Sequence, residues 1–253
     1  MIISLAQAQL FFLALTRILA TLIHVPVLAG PSVPNQIKIG LGLLLAMVLL
    51  PWQTLPPEMP GWTSLAFGLA IGREMIVGTI AGFAAVLVFG ALQITGDLMG
   101  LGAGFSAGRI INPALESSGS AMTQFFTLTA MLIFFVVNGH HSFLLGLART
   151  FETLPLNSPL PDLSVSNILW MTTQMIAAGV QMAMPVFGAL LLTDLALGLM
   201  ARVAPQVQVY FLGIPLKVGV GLLALFLALR VFAAGLVDLF GSLGERLIWM
   251  LRV

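Results

Sequence analysis

The chain has 253 residues, of which 59% are hydrophobic and 8% are charged, and its mean hydropathy is +1.09. Soluble domains carry roughly 25% charged residues, so this composition indicates an integral membrane protein. The net charge of +1 gives no electrostatic reason to expect a nucleic-acid partner. Because the chain has no cysteine, disulfides, thiolate metal sites and cysteine nucleophiles are excluded.

Apolar segments near residues 2–23, 37–50, 63–95, 119–137, 168–193 and 211–237 predict six membrane helices. The first segment lacks the basic start of a cleaved signal peptide and is expected to be retained. Segment 37–50 is short for a span, and segment 63–95 is long and broken by Arg73 and Glu74. Proline or glycine separates the segments, with the last breaks expected at Pro205 and Pro215. The sequence therefore predicts an all-α membrane protein with one domain over residues 1–253.

Glycines recur at four-residue spacing in the break after the third segment, at Gly96, Gly100, Gly104 and Gly108, with Gly102 among them. Each costs a helix ~1 kcal/mol relative to alanine. Their density indicates a close backbone approach, a bend or a mobile loop. The same spacing predicts close helix contacts from Gly68 to Gly72 and from Gly78 to Gly82.

Charged side chains within or beside the apolar segments cost ~2.5–3.5 kcal/mol each on insertion scales, so each needs a partner or a wet cavity. The set is Arg17, Arg73, Glu74, Asp97, Asp194, Arg202, Lys217 and Arg230. Adjacent Arg73 and Glu74 face different ways on a helix, so each should pair elsewhere. Pairing between helices or with another subunit is favoured over a proton relay. The basic residues fall on both sides of the alternating loops, so the positive-inside rule gives no orientation.

An enzymatic alternative comes from residues 104–108, whose sequence GFSAG matches the G-x-S-x-G nucleophile elbow around Ser106. His140 and His141 could supply a base. The elbow requires a preceding strand, however, and the flanks here are membrane segments. An intramembrane serine hydrolase needs no strand but would want its histidine at depth, whereas this pair lies at a segment end.

A methionine-rich stretch precedes Pro185 and contains Met171, Met175, Met182 and Met184. Methionines at helical spacing usually fill irregular gaps in a core. The alternative is a compliant lining for a passage, in which unbranched side chains part and reseal around cargo. The sequence favours core filling and leaves pore lining possible.

Residues 194–217, here called the signature block, read DLALGLMARVAPQVQVYFLGIPLK. With Gly72-Arg73-Glu74 and the stretch from Gly96 through Asn112-Pro113 to Asn138-Gly139-His140, this block resembles the FliR/SctT family of type III secretion export-gate proteins. The resemblance covers nearly the whole chain. The Asn138 region favours the flagellar branch over the injectisome (SctT-type) branch. Asp97 departs from the amide expected at that position.

The resemblance implies a core export-gate subunit in the bacterial inner membrane at the flagellar basal body. It would assemble with FliP and FliQ, contact FlhB and pass unfolded flagellar proteins. Its helices would form bent hairpins within a helical assembly, much of which is lifted out of the bilayer plane, and membrane lipid would be among its partners. The family implies no enzyme activity, cofactor or metal. It also implies that the methionines are a minor part of any lining.

The family's plug maps onto residues 102–116 of this chain. Its candidate residues are Gly102, Gly104, Phe105, Ser106, Gly108, Arg109, Ile110, Ile111, Asn112 and Pro113. Glycines would let the loop pack across a closed pore, and apolar side chains would seal it by dewetting. A secondary transporter is the remaining alternative, because broken helices and buried charges also describe one, although the sequence shows no convincing internal repeat.

Overall fold

The computed structural model describes residues 5–30, 33–50, 63–105, 121–156, 158–159, 165–206 and 208–251. These residues contain helices and no strand, which confirms the all-α prediction. The helices are α1 (Leu5–Leu22), α2 (Pro26–Ala29), α3 (Asn35–Leu49), α4 (Ser64–Gly102), α5 (Ala121–Val136), α6 (Gly139–Thr153), α7 (Val165–Val203), α8 (Val209–Gly241) and α9 (Leu243–Leu251). All six predicted segments are helical.

Three expected interruptions are absent from the helices that the structure describes. Helix α4 continues through Arg73 and Glu74 and through Gly96 and Gly100, so the breaks expected at these places were wrong. Glu74 finds a partner on another helix, and Gly96 is packed against one, so neither position needs to leave the helix. Pro215 also lies inside α8, where it removes only one backbone donor near the helix start.

Three helices were not predicted: the four-residue α2, and α6 and α9, whose sequences are amphipathic rather than continuously apolar. Helix α6 buries Phe143, Leu147, Thr150 and Phe151, which recur at the spacing of one helix face. Helix α9 likewise buries one face and exposes Glu245. Asn138 precedes α6 with φ of 57°, a left-handed conformation that asparagine tolerates better than most residues.

The lengths and compositions of the described helices fit a membrane. Four are long and apolar enough to span one, namely α1, α4, α7 and α8, and a fifth span results if α5 and α6 count as one broken span. Helix α3 is apolar but has only 15 residues, as the short segment predicted. The chain is therefore an all-α membrane protein with some elements that are not simple spans.

The chain divides into two compact units, and the first comprises residues 1–88, 138–171 and 240–253. In this unit α4 lies against α1 at Gly78 and Gly82, where an added Cβ would come within 2.5 Å of the Arg17 carbonyl oxygen and 2.8 Å of the Thr21 carbonyl oxygen. The predicted close contact at Gly78 and Gly82 is confirmed. At Gly68 and Gly72 an added Cβ would meet no described atom within 4 Å.

The second unit comprises residues 89–137 and 172–239, with parts of α4 and α7, and α5 and α8. Helix α7 approaches α4 most closely at Gly179, whose added Cβ would lie 2.5 Å from the Ala91 carbonyl oxygen. Helices α5 and α8 meet through the rings of Phe126 and Phe232, whose centroids are 4.6 Å apart. Close backbone packing by small residues and aromatic contacts therefore define this unit.

Candidate functional site

The end of α4 is where the proposed plug begins. The helix ends at Gly102, the Ala103 amide donates to the Met99 carbonyl, and Gly104 has φ of 82°. Glycine reaches this conformation without the cost that a Cβ imposes, and a left-handed residue just past a helix is a common terminator. Gly102 and Gly104 therefore end the helix and turn the chain.

Gly102 is held tightly although the residues after it turn away. An added Cβ there would lie 3.0 Å from Leu190 Cδ1 and 3.2 Å from Phe187 Cδ2, both on α7. At Gly104 the same added atom would meet nothing within 4 Å in the described part of the chain. The backbone is thus fixed at Gly102 and unobstructed two residues later.

An open cleft of about 380 Å³ adjoins this helix end in the second unit. We call it the plug-root cleft, and it is lined by Ala103, Gly104, Asp194, Leu197, Gly198, Ala201, Val209, Gly213, Ile214 and Lys217. Asp194 on α7 and Lys217 on α8 form an ion pair across it. These two residues are the ends of the signature block, so that block folds back on itself around the first residues of the proposed plug.

The ion pair in the plug-root cleft is accessible to solvent in the isolated chain. The side chains of Lys217 and Asp194 are 24% and 46% exposed. Exposed pairs of this kind contribute ~0–1 kcal/mol, because water and salt screen them. The pair can therefore open at small cost.

Most of the proposed plug lies outside the described residues. Gly102, Gly104 and Phe105 are described, and the Phe105 side chain is 38% exposed. The other candidates, Ser106, Gly108, Arg109, Ile110, Ile111, Asn112 and Pro113, fall within residues 106–120, which are not described. Their role as a plug stays a prediction.

The first unit has a second polar centre, built around Arg17. Its side chain is 1% exposed, and its Nε atom lies 2.5 Å from Glu74 Oε2 on α4. Its Nη1 atom donates to the carbonyl oxygens of Thr150 at 3.1 Å and Leu154 at 2.7 Å. Its guanidinium carbon lies 4.5 Å from the centre of the Phe151 ring. One arginine thus joins α1 and α4 to the carboxyl end of α6, where the helix dipole favours a cation.

The other charged candidates lie at the surface of the isolated chain. Arg73, Asp97, Asp194 and Arg202 are exposed, and Lys217 is half-buried. The Thr123 hydroxyl donates to Asp97 at 2.7 Å, which joins α5 to α4. Arg230 is exposed as well, so among the eight charged candidates only Arg17 and Glu74 are buried in the described structure.

The four methionines of the stretch before Pro185 also divide into buried and exposed residues. Met171, Met175 and Met182 are buried, while Met184 is 51% exposed. Burial of the first three matches core filling. Pore lining by Met184 stays a prediction.

Sequence reasoning missed two features that position these sites. It did not find the carbonyl partners of Arg17, because a backbone oxygen has no residue signature. It also missed the Thr95 hydroxyl, which lies 2.9 Å from the carbonyl oxygens of both Ala91 and Gly179 at the closest approach of α4 and α7. A threonine within an apolar helix opposite a glycine is the signal that could have found it.

The nucleophile-elbow interpretation fails in its α/β-hydrolase form. The residues before Gly104 belong to helix α4, whereas the elbow needs a strand there. Ser106 itself lies outside the described residues. His140 and His141 lie in the first turn of α6, next to the break between α5 and α6.

Taken together, these features define an α-helical membrane protein in which a long helix ends at a glycine-bounded turn beside an ion-paired cleft. The family model described as bacterial export proteins, family 1, matches residues 8–243, so the chain belongs to that family. Flagellar biosynthetic protein FliR of Escherichia coli K12 is 30% identical over 220 residues, which cover 86% of this chain and 83% of that protein.

Two further relatives bear the same name. Flagellar biosynthetic protein FliR of Bacillus subtilis 168 is 29% identical over 87% of this chain and 86% of that protein. The Aquifex aeolicus protein is 31% identical over 84% of this chain and 82% of that protein. The resemblance to FliR-type export proteins of flagellar biosynthesis is thereby confirmed, and none of these relatives is named as an enzyme.

Proposed function

We propose that the chain is a core export-gate subunit of the flagellar type III secretion apparatus, in the bacterial inner membrane at the flagellar basal body. It assembles there with FliP-type and FliQ-type proteins and contacts an FlhB-type protein. Unfolded flagellar proteins pass through the gate in transit. The loop over residues 102–116 acts as the plug that closes the gate between export events.

One observation carries this proposal. The signature block, the most specific part of the resemblance to FliR-type proteins, lines the same cleft as Ala103 and Gly104, the first residues after α4. A sequence block that served only as a membrane anchor would have no reason to enclose the root of a loop. The geometry instead suits a block that receives and positions that loop.

The geometry also suggests how the plug would open. Gly102 is clamped under Leu190 and Phe187, so the end of α4 stays in place. From Gly104 onward the backbone can change direction at low steric cost, because glycine accepts both signs of φ. Only the loop then needs to move, while the helices that bear it remain packed.

Exposed apolar side chains on α7 and α8 support an assembly. Leu192, Leu195, Phe211, Phe226 and Leu227 are each more than 60% exposed in the isolated chain. Apolar surface of this extent requires lipid or protein to cover it. FliP-type and FliQ-type subunits would supply part of that cover.

The first test is co-expression of the chain with the neighbouring membrane genes of its locus, followed by purification in mild detergent and native mass spectrometry. We expect a defined complex that contains this chain and two other small membrane proteins. A stable monomer or homo-oligomer, with no other subunit retained, would contradict the assembly and favour a transporter.

The second test addresses the plug in that complex. Deleting residues 102–108, or replacing Gly102, Gly104 and Phe105 together, should leave a complex that still assembles but leaks small ions. The leak is measured either as membrane conductance in cells or as dye release from vesicles that contain the reconstituted complex. An assembled, secretion-competent complex with wild-type leak would count against the plug. Ser106→Ala provides the enzymatic control, since a plug tolerates so small a change and a serine hydrolase would lose its function.

A further inference from the structure

The first unit contains an open cleft of about 500 Å³ that the proposed export role does not use. It lies where the carboxyl-terminal half of α6, the start of α7 and helix α9 come together. Its polar and aromatic lining residues are Arg149, Trp170, Ser242, Glu245, Arg246 and Trp249. We call it the headgroup cleft.

Two tryptophans mark the depth of this cleft in a membrane. The rings of Trp170 and Trp249 have centroids 4.8 Å apart with an interplanar angle of 44°, and Trp170 is 53% exposed. Tryptophan is enriched at the level of lipid headgroups, where its ring is part apolar and part polar. Trp170 lies in the second turn of the membrane helix α7, and α9 begins just after α8 ends. The cleft thus lies beside the first turns of one candidate membrane span, α7.

The charges of the cleft suit a phosphate diester. Among the described lining residues, Arg149, Arg246 and Glu245 are charged, and their formal charges sum to +1. Arg246 Nε donates to Ser242 Oγ at 3.0 Å, which orients the guanidinium group. Arginine binds phosphate through paired N–H donors, and its charge does not change at physiological pH. One diester, with its single negative charge, would neutralise the site.

We propose that the headgroup cleft binds an anionic phospholipid. The lipid phosphate is held by Arg149 and Arg246, and the headgroup hydroxyls face Glu245 and Ser242. The two tryptophan rings pack beside the glycerol backbone, with the acyl chains leaving along the exposed apolar side of α7. The site would fasten this end of the first unit to one leaflet of the membrane, whether or not the chain acts as an export gate.

The test measures lipid binding to the purified full-length chain by native mass spectrometry, with phosphatidylglycerol as the probe. The double variant Arg149→Gln/Arg246→Gln should bind phosphatidylglycerol roughly 30-fold more weakly, because each arginine near an anionic surface contributes about fivefold. Arg230→Gln is the matched control, since it removes one exposed arginine in the second unit and should leave binding unchanged. Equal affinity in all three proteins would overturn the proposal.

Two further probes identify the source of the phosphate. Phosphatidylcholine that bound as tightly as phosphatidylglycerol would overturn the preference for an anionic lipid. Glycerol phosphate that displaced the lipid at equal concentration would overturn a membrane ligand in favour of a soluble one. If the double variant bound lipid normally but failed to join a complex, the arginines would serve a protein partner instead, and the proposal would be wrong.

A second measurement leaves the lining of the cleft unchanged, so it does not depend on how a substitution within the cleft affects folding. The chain has four tryptophans, and Trp52→Phe/Trp62→Phe leaves only Trp170 and Trp249 as fluorophores. Brominated phosphatidylglycerol should quench this fluorescence at lower concentrations than brominated phosphatidylcholine. Equal quenching by the two lipids would contradict a selective site.

Discussion

Replacing Arg17 by methionine tests whether one buried arginine holds the first unit together. Methionine keeps most of the apolar stem but removes the charge that faces Glu74, whose side chain is only 5% exposed. It also removes the donors to the Thr150 and Leu154 carbonyls and the contact with the Phe151 ring. The Thr150 carbonyl oxygen still accepts a hydrogen bond from the Leu154 amide at 2.9 Å. The loss of the Arg17 donors therefore affects the Leu154 carbonyl oxygen more than that of Thr150.

The expected loss of stability for Arg17→Met is ~3–5 kcal/mol, which is the cost of leaving one member of a buried ion pair without its partner. Adding Glu74→Gln to this variant should recover ~1–3 kcal/mol, because the second change removes the uncompensated charge. The two effects therefore oppose each other in the double variant. A simple loss of packing would give effects that add.

The free energy of unfolding is measured by SDS titration of the purified chain in mixed micelles, followed by far-UV circular dichroism. Arg73→Gln is the control, since Arg73 is next to Glu74 in sequence but exposed, and it should change stability by less than ~0.5 kcal/mol. The reasoning is refuted if the double variant is less stable than Arg17→Met, or if Arg17→Met unfolds within ~1 kcal/mol of the wild type.

Three further predictions use the same unfolding assay. Gly179→Ala should destabilise the chain by ~1–3 kcal/mol, because its Cβ would meet the Ala91 backbone. Gly188→Ala is the control: its Cβ would meet no described atom within 4 Å, so the change should be neutral or stabilising by up to ~1 kcal/mol. Equal effects of the two substitutions would contradict the close approach of α4 and α7 at Gly179. Gly104→Ala should cost ~1–2 kcal/mol through its positive φ, and no loss would contradict that conformation. Asp194→Asn should cost less than ~1 kcal/mol, and a larger loss would show that the pair is shielded from water.

The sequence predicted the helices that are apolar throughout and missed those that are amphipathic. Segment 37–50 needed only hydropathy, whereas α6 needed the periodic spacing of Phe143, Leu147 and Phe151. The extension of α4 to Gly102 could not be found from glycine content, because glycine lowers helix propensity whether or not a neighbouring helix compensates. Contact with α5 at Gly96 provides that compensation here.

The candidate sites were predictable to different degrees. Burial cost alone indicated that Arg17 and Glu74 need partners, but it could not pair two residues 57 positions apart. Resemblance to a family located the signature block without showing what it encloses. The cleft beside Gly104 became visible only when α7 and α8 were placed together, since most of its lining residues are small or apolar and carry no chemical signal.

The ion pairs Arg17–Glu74 and Asp194–Lys217, both among the described residues, differ in a way that bears on the proposed gating. Arg17 and Glu74 are buried and are supported by two carbonyl bonds, so opening that pair would strand a charge in an apolar interior. Asp194 and Lys217 are partly exposed in the isolated chain, so water can replace each partner wherever the plug-root cleft is wet. A movement needed at every export event would therefore occur at lower cost beside the plug root than within the first unit. Because the exposed pair joins α7 to α8 at the cleft that Ala103 and Gly104 line, its opening would widen the space available to the proposed plug, while the buried pair keeps α1, α4 and α6 in place.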